Sequence, residues 1–231
     1  MTTATELSRA EQLIELEERY GAHNYHPLPV VIDRARGVYM WDVDGKRYYD
    51  FLSAYSAVNQ GHCHQLIIDV LKKQAERLTL TSRAFYNSTL GEYEKYITEY
   101  FGYDKVLPMN TGVEAVETAI KLTRRWAYEV KGIADNKAKI IVPENNFHGR
   151  TLLAISASTD PSSYKGFGPF VPNFVVVPYN DLKALSEALE DKDVCGFMVE
   201  PIQGEAGVMV PDEHYLAKAK FLCEKAGVLF I

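Results

Sequence analysis

From residue 140 to its last residue, the chain alternates short apolar runs with amphipathic segments, and this alternation constrains the fold more than any other feature. The apolar runs, of four residues or fewer, lie at residues 140–142, 174–177, 196–199 and 228–231. Segments with helical periodicity lie between the later runs, at residues 181–190 and 213–225. Strands that alternate with helices form a mostly parallel sheet with helices on its faces. We therefore predict an α/β fold for the larger part of the chain.

The first sixty residues follow a different pattern. Residues 8–20 are predicted to form a helix, because Ser8 and Glu11 make a capping box and Gly21 follows as a stop. Three β-rich runs separated by turn residues then predict a small meander, at residues 30–32, 38–41 and 47–49. A sheet of this size is marginal alone and must pack on a larger body.

Helical periodicity returns before the α/β part, at residues 65–78, 90–101 and 112–130. We predict two domains. Residues 1–60 are an N-terminal segment that belongs to a small domain, and residues 61–231 are an incomplete large α/β domain. The chain stops on the apolar run 228–231, where a buried strand would normally continue into a loop. We therefore expect it to be the N-terminal portion of a longer protein.

Composition narrows the class of protein. Of the 231 residues, 47% are apolar, and the formal net charge is −6, which argues against disorder and against broad nucleic-acid binding. The three cysteines form no C-x-x-C motif, so a reducing compartment is expected. No apolar run approaches the roughly 20 residues of a membrane helix. Residues 1–18 hold five glutamates and one arginine, unlike a signal or transit peptide, so a cytoplasmic location is expected.

The sequence Asn-Thr-Gly-Val-Glu-Ala at residues 110–115 opens the longest predicted helix. Thr111 is positioned to cap that helix, with Glu114 three residues later. Gly112 leaves room for a ligand to approach the free backbone N–H groups, where the helix dipole favours a phosphate. A capped helix with no ligand explains the same residues.

Two further motifs follow predicted strands and so are expected near the carboxyl edge of the sheet. In Phe-His-Gly-Arg-Thr at residues 147–151, Arg150 could clamp a carboxylate and Phe147 could stack on a planar ring. Residues 200–207 carry two carboxylates, Glu200 and Glu205, which suit acid–base or charge-pairing work. Ordinary surface loops would also accommodate both motifs.

Other candidates are weaker on their own. His62-Cys63-His64 has the residue types of a metal site, but adjacent residues diverge and no further ligands stand nearby, so no metal is predicted. Tyr25 and Tyr55 lie in irregular segments, where a tyrosine commonly packs on the body of the protein.

Taken in order, six stretches resemble the ornithine aminotransferases, a family of the class III aminotransferases. They lie at residues 20–29, 56–64, 110–115, 147–151, 159–164 and 200–207. Asn-Thr-Gly and His-Gly-Arg occur across class III. Tyr-Gly-Ala-His-Asn-Tyr and Ser-Ala-Val-Asn-Gln-Gly-His-Cys-His are more specific to the ornithine enzymes. The resemblance implies a fold-type-I α/β scaffold, pyridoxal 5'-phosphate as cofactor, and a homodimer or larger assembly.

The resemblance also implies roles for single residues in the cofactor site. Gly112 and Val113, together with Thr111, are expected to bind the cofactor phosphate. Phe147 is expected to stack on the pyridine ring. His148 and Glu200 are expected in the cofactor region; at position 148 many class III relatives have His, while some ornithine enzymes have Trp.

For the substrate, the resemblance implies four further residues. Tyr25 and Tyr55 are expected to recognise the amino-acid end of ornithine, and Arg150 to clamp its carboxylate. Glu205 matches the family's switch glutamate, which pairs with an arginine further along the chain. The family's Schiff-base lysine and the aspartate under the pyridine nitrogen are expected beyond Ile231. No catalytic residue is therefore assigned within this chain, which alone is expected to be inactive.

The implied reaction transfers the δ-amino group of ornithine to 2-oxoglutarate and yields glutamate 5-semialdehyde and glutamate. Two alternatives stay open. One is another class III aminotransferase, acting on acetylornithine or 4-aminobutyrate, which would need a different pocket around Tyr25 and Tyr55. The other is a non-catalytic binding fragment.

Overall fold

The computed structural model describes residues 7–231, so residues 1–6 of the predicted N-terminal segment lie outside the described residues. The chain divides into two compact units, Met1–Tyr96 and Ile97–Ile231. Each unit is built on a different sheet, the first antiparallel and the second parallel.

The first unit opens with helix α1, Arg9–Tyr20. The predicted capping box is confirmed: Ser8 Oγ accepts from Glu11 N, and Glu11 Oε2 accepts from Ser8 N. Gly21 caps the carboxyl end, as predicted. These reciprocal bonds satisfy two donors that a helix N-terminus otherwise leaves unpaired, which is why the helix begins at this point.

The predicted meander follows as three antiparallel strands, β1 (Ile32–Arg36), β2 (Tyr39–Asp42) and β3 (Arg47–Tyr49). Strand β1 begins two residues later than its apolar run and ends at Arg36. The next residue, Gly37, makes the turn with a φ of +59°. Helices α2 (Gln65–Arg77) and α3 (Leu90–Phe101) complete the elements that begin in this unit.

In the second unit, helix α4 spans Gly112–Trp126 and continues as a π-helical turn, Ala127–Lys131. The sequence predicted one uninterrupted helix here. The wider turn ends at Gly132, and Lys131 Nζ donates to the carbonyl oxygens of Val194 and Gly227, at 2.7 and 2.9 Å. One ammonium group thus ties the end of this helix to two other segments of the unit.

Four parallel strands form the second sheet in the order β5-β4-β6-β7, which confirms the predicted parallel α/β architecture. Their bounds are Lys139–Pro143 for β4, Phe174–Val177 for β5, Val194–Phe197 for β6 and Leu229–Phe230 for β7. The helices between and around them are α5 (Leu152–Ser156), α6 (Pro161–Tyr164), α7 (Leu182–Ala188) and α8 (Tyr215–Ala226). The sequence does not predict α5 and α6, and β6 begins two residues earlier than its predicted position.

The alternating side chains of β4 divide the core of this unit between the two faces of the sheet. Ile140 and Val142 pack with Ile120 and Ala127 of the α4 region, while Ile141 packs with Leu185 of α7. Helix α8 joins the second cluster. Because both faces of the sheet are buried, the sequences of its strands are continuous apolar runs. No helix within residues 7–231 has the length and apolarity needed to cross a bilayer.

Candidate functional site

The loops that follow β4 and β6 are linked at the carboxyl edge of the parallel sheet. Phe147 N donates to Glu200 Oε2 at 3.1 Å, which joins the two predicted motifs directly. Both motifs thus lie beyond the ends of neighbouring parallel strands, as the sequence predicted. This edge is where open α/β sheets bind their ligands.

Two supporting residues that the sequence analysis did not identify hold this edge together. Gln203 is almost fully buried, and its Nε2 donates to the carbonyl oxygen of Glu144 at 2.7 Å. The hydroxyl of Tyr179, which follows β5, donates to the carbonyls of Glu200 and Pro201 at 3.1 and 3.2 Å. A lone Gln or Tyr in a loop has no sequence signature, so only the fold reveals these links.

The start of helix α4 touches the same edge. Gly149 has a φ of +124°, and a Cβ placed on it would lie 2.4 Å from Cγ2 of Val113. Glycine is required here both by the backbone conformation and by the close approach. The contact brings the Phe147 loop against the residues predicted to bind phosphate.

The N-terminus of α4 is capped, and two of its donors remain available. Thr111 Oγ1 accepts from Glu114 N, and Glu114 Oε2 accepts from Thr111 N, so the predicted capping box is present. Within the described part of the chain, no acceptor pairs with the backbone N–H of Gly112 or Val113. A Cβ on Gly112 would meet nothing within 4 Å, so the space beside it is open. The capped helix can therefore still receive a phosphate.

Phe147 and Arg150 lie beside each other in the loop after β4. Phe147 is 39% exposed, so its side chain is partly accessible to a planar group that could stack on it. The Arg150 guanidinium lies 6.0 Å from the centroid of that ring. A cation and an accessible aromatic face in one loop suit a ligand that is both planar and anionic.

Glu200 is a partly buried carboxyl group with an altered acidity. Burial raises its pKa above the ordinary value, and the negative charge of Glu205 adds to this rise. The hydrogen bond from Phe147 N opposes the rise. Because burial has the largest effect, this carboxyl group holds its proton to a higher pH than an exposed glutamate does.

His148 is held neutral by its surroundings. Burial lowers the pKa of its imidazole from 6.5 to about 4. Its Nε2 is buried and has no hydrogen-bond partner among residues 7–231. A buried polar nitrogen without a hydrogen-bond partner is energetically unfavourable. A bound ligand beside His148 could supply that partner.

Tyr25 belongs to the first unit, in the exposed segment that follows α1. It lines a cavity of about 530 Å³ together with Glu17, Glu18 and His23, between α1 and the chain leading to β1. The ring of Tyr25 is about half exposed.

Tyr55, also in the first unit, sits in an unusual backbone conformation. Residues 53–56 all have positive φ angles, between +48° and +70°, although none of them is glycine. A left-handed turn costs L-residues roughly 1–2 kcal/mol per residue. The Tyr55 side chain is 72% exposed. Such strain persists only where neighbouring interactions hold it.

The sequence His62-Cys63-His64 does not converge on one point. His62 pairs with Asp50, Cys63 is exposed, and His64 is the N-cap residue of α2. Across residues 7–231, no three His, Cys, Asp or Glu side chains are grouped so that they could hold a metal ion.

The residues of the second unit fit the phosphate and ring of pyridoxal 5'-phosphate. The open N–H groups at the start of α4 suit the phosphate, and the exposed Phe147 ring suits the pyridine. The unpartnered nitrogen of His148 provides a polar atom beside them in sequence. Tyr25 and Tyr55 lie in the other compact unit.

Comparison with known proteins gives the family. The model of the class-III aminotransferases matches residues 20–231. Among similar proteins, the mitochondrial ornithine aminotransferase of Rattus norvegicus is 64% identical over 222 residues, which is 96% of this chain and 51% of that protein. An ornithine aminotransferase of Plasmodium falciparum is 56% identical over 231 residues, covering 100% of this chain and 56% of that protein. The chain thus spans about half the length of the curated relatives it matches.

Solved structures agree with the fold. The ornithine aminotransferase of Toxoplasma gondii superposes with a TM-score of 0.95 at 49% identity, covering 97% of this chain and 53% of that one. The acetylornithine aminotransferase of Elizabethkingia anophelis gives a TM-score of 0.83 at 57% identity, covering 97% and 52%. The antiparallel meander and the parallel sheet are therefore both parts of the fold-type-I aminotransferase scaffold.

Proposed function

The chain belongs to the class-III aminotransferases, and from this premise we propose that the whole protein is an ornithine δ-aminotransferase that uses pyridoxal 5'-phosphate. One observation carries the proposal: 64% identity to an ornithine aminotransferase over 96% of this chain. The meeting of the α4 start with the Phe147 loop supports the cofactor part independently.

Within this chain, six residues would hold the cofactor, and one of them, His148, would lie in the cofactor region next to Phe147 in sequence. The N–H groups of Gly112 and Val113 would bind the phosphate, and the Thr111 cap would keep that helix start in place. Phe147 would stack on the pyridine ring, and Glu200 would fix the Phe147 backbone through the 3.1 Å hydrogen bond. When bound, the cofactor supplies an electron sink and carries the amino group between the two substrates.

Four residues would select the substrates, ornithine and 2-oxoglutarate. Arg150 would bind a substrate carboxylate, since a guanidinium offers a bidentate fork to it. Tyr25 and Tyr55 would recognise the amino-acid end of ornithine. Glu205 would act as the switch carboxylate, because its charge already acts on Glu200 at the same edge.

The test is transamination by the full-length protein. With ornithine and 2-oxoglutarate, we expect glutamate 5-semialdehyde and glutamate in equal amounts. Acetylornithine and 4-aminobutyrate are measured in parallel, because one similar structure, at 57% identity, is an acetylornithine aminotransferase. A higher kcat/KM for acetylornithine than for ornithine would show that acetylornithine, and not ornithine, is the preferred amino donor. No turnover of any amino donor would favour the non-catalytic alternative.

Three further features of the whole protein are proposals. We propose a small domain that includes residues 1–60 and a large domain that includes residues 61–231. We also propose a homodimer or larger homo-oligomer, which light scattering during gel filtration tests. For location we propose the cytoplasm, to be tested by fractionation; the relatives allow either outcome, because the rat protein is named mitochondrial and the Plasmodium protein is not.

A further inference from the structure

A buried carboxylate closes the loop that carries Tyr55. His62 Nε2 donates to Asp50 Oδ2 at 2.6 Å, and the Asp50 side chain is only 5% exposed. The other oxygen of Asp50 accepts from the backbone N–H groups of Leu52 and Ser53, at 3.0 and 2.8 Å. The Ser53 N–H and His62 lower the pKa of Asp50, so the carboxylate stays charged. One side chain therefore joins the end of the loop to its beginning.

The β1–β2 turn of the meander anchors both partners of this pair. Gly37 and His62 exchange two backbone hydrogen bonds, each 2.9 Å long. Asp50 N donates to the carbonyl oxygen of Val38, also at 2.9 Å. A Cβ on Gly61 would lie 3.2 Å from Cα of Gly37, so the backbones are in close contact. The Asp50–His62 pair thus has a fixed place on the sheet.

The left-handed turn at residues 53–56 lies inside the closed loop. Its internal hydrogen bonds are those from Ser56 N to Leu52 O at 3.3 Å, from Ala57 N to Ala54 O at 3.2 Å and from Val58 N to Ser53 O at 3.0 Å. Released L-residues relax towards right-handed or extended conformations. Asp50 opposes this relaxation at Ser53, where the turn begins.

The position of Tyr55 follows from this backbone conformation. Within residues 7–231, its side chain has no hydrogen-bond partner and remains largely exposed. A phenol that recognises a substrate must be preorganised, because ordering it on binding would reduce affinity. We propose that Asp50 and His62 are positioning residues, which hold the left-handed turn and so set Tyr55 for choice of the amino donor. The inference rests on the proposed function for its substrate.

The experiment uses the full-length protein, four single variants and the double variant that combines Tyr55→Ile with His62→Leu. His62→Leu removes the donor to Asp50, and His62→Gln retains an amide donor in a similar place. His64→Leu is the matched control, because His64 is exposed and its side chain makes no capping bond. Tyr55→Ile removes the phenol. Two quantities are measured: hydrogen exchange of the amides at residues 51–61, and the kcat/KM ratio of ornithine to 4-aminobutyrate.

In His62→Leu we expect exchange within residues 51–61 to rise by on the order of tenfold, with no change in His64→Leu. The ornithine preference should fall by on the order of tenfold, mainly through KM, and His62→Gln should restore most of it. In the Tyr55→Ile background, His62→Leu should change the ratio by less than about twofold. A residue that merely supported the fold would have the same effect in both backgrounds.

Each result bears on a separate claim. Unchanged exchange in His62→Leu would overturn the positioning pair. Faster exchange with an unchanged substrate ratio, or an additive effect with Tyr55→Ile, would overturn its action through Tyr55. If His62→Leu does not fold, His62→Gln is measured with and without Tyr55→Ile, and its smaller residual effect should likewise disappear in the Tyr55→Ile background. If the wild-type protein does not transaminate ornithine, the proposed function is wrong. The hydrogen-exchange data would still test whether the Asp50–His62 pair holds residues 51–61.

Discussion

At the scale of single residues, the neutral imidazole of His148 is a measurable property of the candidate site. Its pKa, lowered to about 4 by burial, lies below the 6.5 of an unfolded chain. Between these values the unfolded state binds more protons, so the stability contributed by this group is lost as pH falls from about 6.5 towards 4.

We therefore predict that, in the cofactor-free full-length protein, the His148 imidazole remains neutral at pH 5.5. The measurement is an NMR titration of the histidine ring nitrogens, with the His148 signal assigned from the His148→Gln variant. A titration midpoint for His148 near 6.5 would show that its nitrogen is solvated rather than buried.

Arg150 gives the second prediction at this scale. In the full-length protein, Arg150→Ala should lower kcat/KM for ornithine, because the carboxylate loses a charged, bidentate partner. A loss of about 2–5 kcal/mol corresponds to a decrease of roughly thirty- to several-thousand-fold. The control is Arg125→Ala, which removes an exposed ion pair with Glu129 on the surface of α4. Equal kcat/KM values in the two variants would contradict the carboxylate clamp.

At the scale of elements, the contact between the Phe147 loop and helix α4 depends on a single glycine. Gly149→Ala would place a methyl group 2.4 Å from the Val113 side chain, at a φ of +124°. We predict a loss of stability and weaker binding of pyridoxal 5'-phosphate, because the loop must move away from the helix start.

The control variant Gly166→Ala introduces the same kind of backbone strain as Gly149→Ala but no steric clash. Gly166 also has a positive φ, +89°, but a Cβ there would meet nothing within 4 Å. By urea denaturation, Gly149→Ala should cost at least about 1 kcal/mol more than Gly166→Ala. Cofactor affinity, from absorbance titration, should fall only in Gly149→Ala. Equal behaviour of the two variants would mean that contact with Val113 does not shape the site.

Whether the sequence predicts a helix or strand depends on how long the element is and on whether it has a local signature. Elements with a local signature were predicted correctly, such as α1 with its capping box and the parallel strands with their apolar runs. Helices α5 and α6, with five and four residues, are too short to show a helical period. The predicted position of β6 is two residues late. The polar residues 191–193 directly precede Val194 and Cys195, so the apolar run is not apparent at the true start of the strand.

Within the candidate site, sequence motifs predicted which loops follow which strands, but not the links between them. The bonds of Phe147 to Glu200 and of Gln203 to Glu144 span 53 and 59 residues of chain. Such pairs depend on strand order, which one sequence does not determine. The sequence also does not predict the pairing of His62 with Asp50. His62 stands in a His-Cys-His sequence that has the residue types of a metal site, and its partner lies twelve residues away.

At the scale of the whole molecule, the two compact units differ in how they are stabilised. The second unit has two buried clusters, one on each face of its parallel sheet. Within residues 7–96, no apolar side chain is fully buried, and α1 and α2 each lack a buried residue. The first unit is therefore held mainly by hydrogen bonds at caps, turns and the meander, which contribute little net stability without apolar burial.

This difference predicts distinct behaviour when residues 1–96 are produced alone. Without a buried core, the conformational entropy of the chain is not offset, so we expect a gradual change of far-UV circular dichroism with urea and no cooperative transition. Residues 97–231, produced alone in the same way, should unfold more sharply, because the parallel sheet buries side chains on both faces. Hydrogen exchange gives a second measurement: amides of β4 should be protected far longer than those of β2. A sigmoidal urea transition for residues 1–96, with slow exchange in β2, would show that the hydrogen-bonded meander is stable without a buried core.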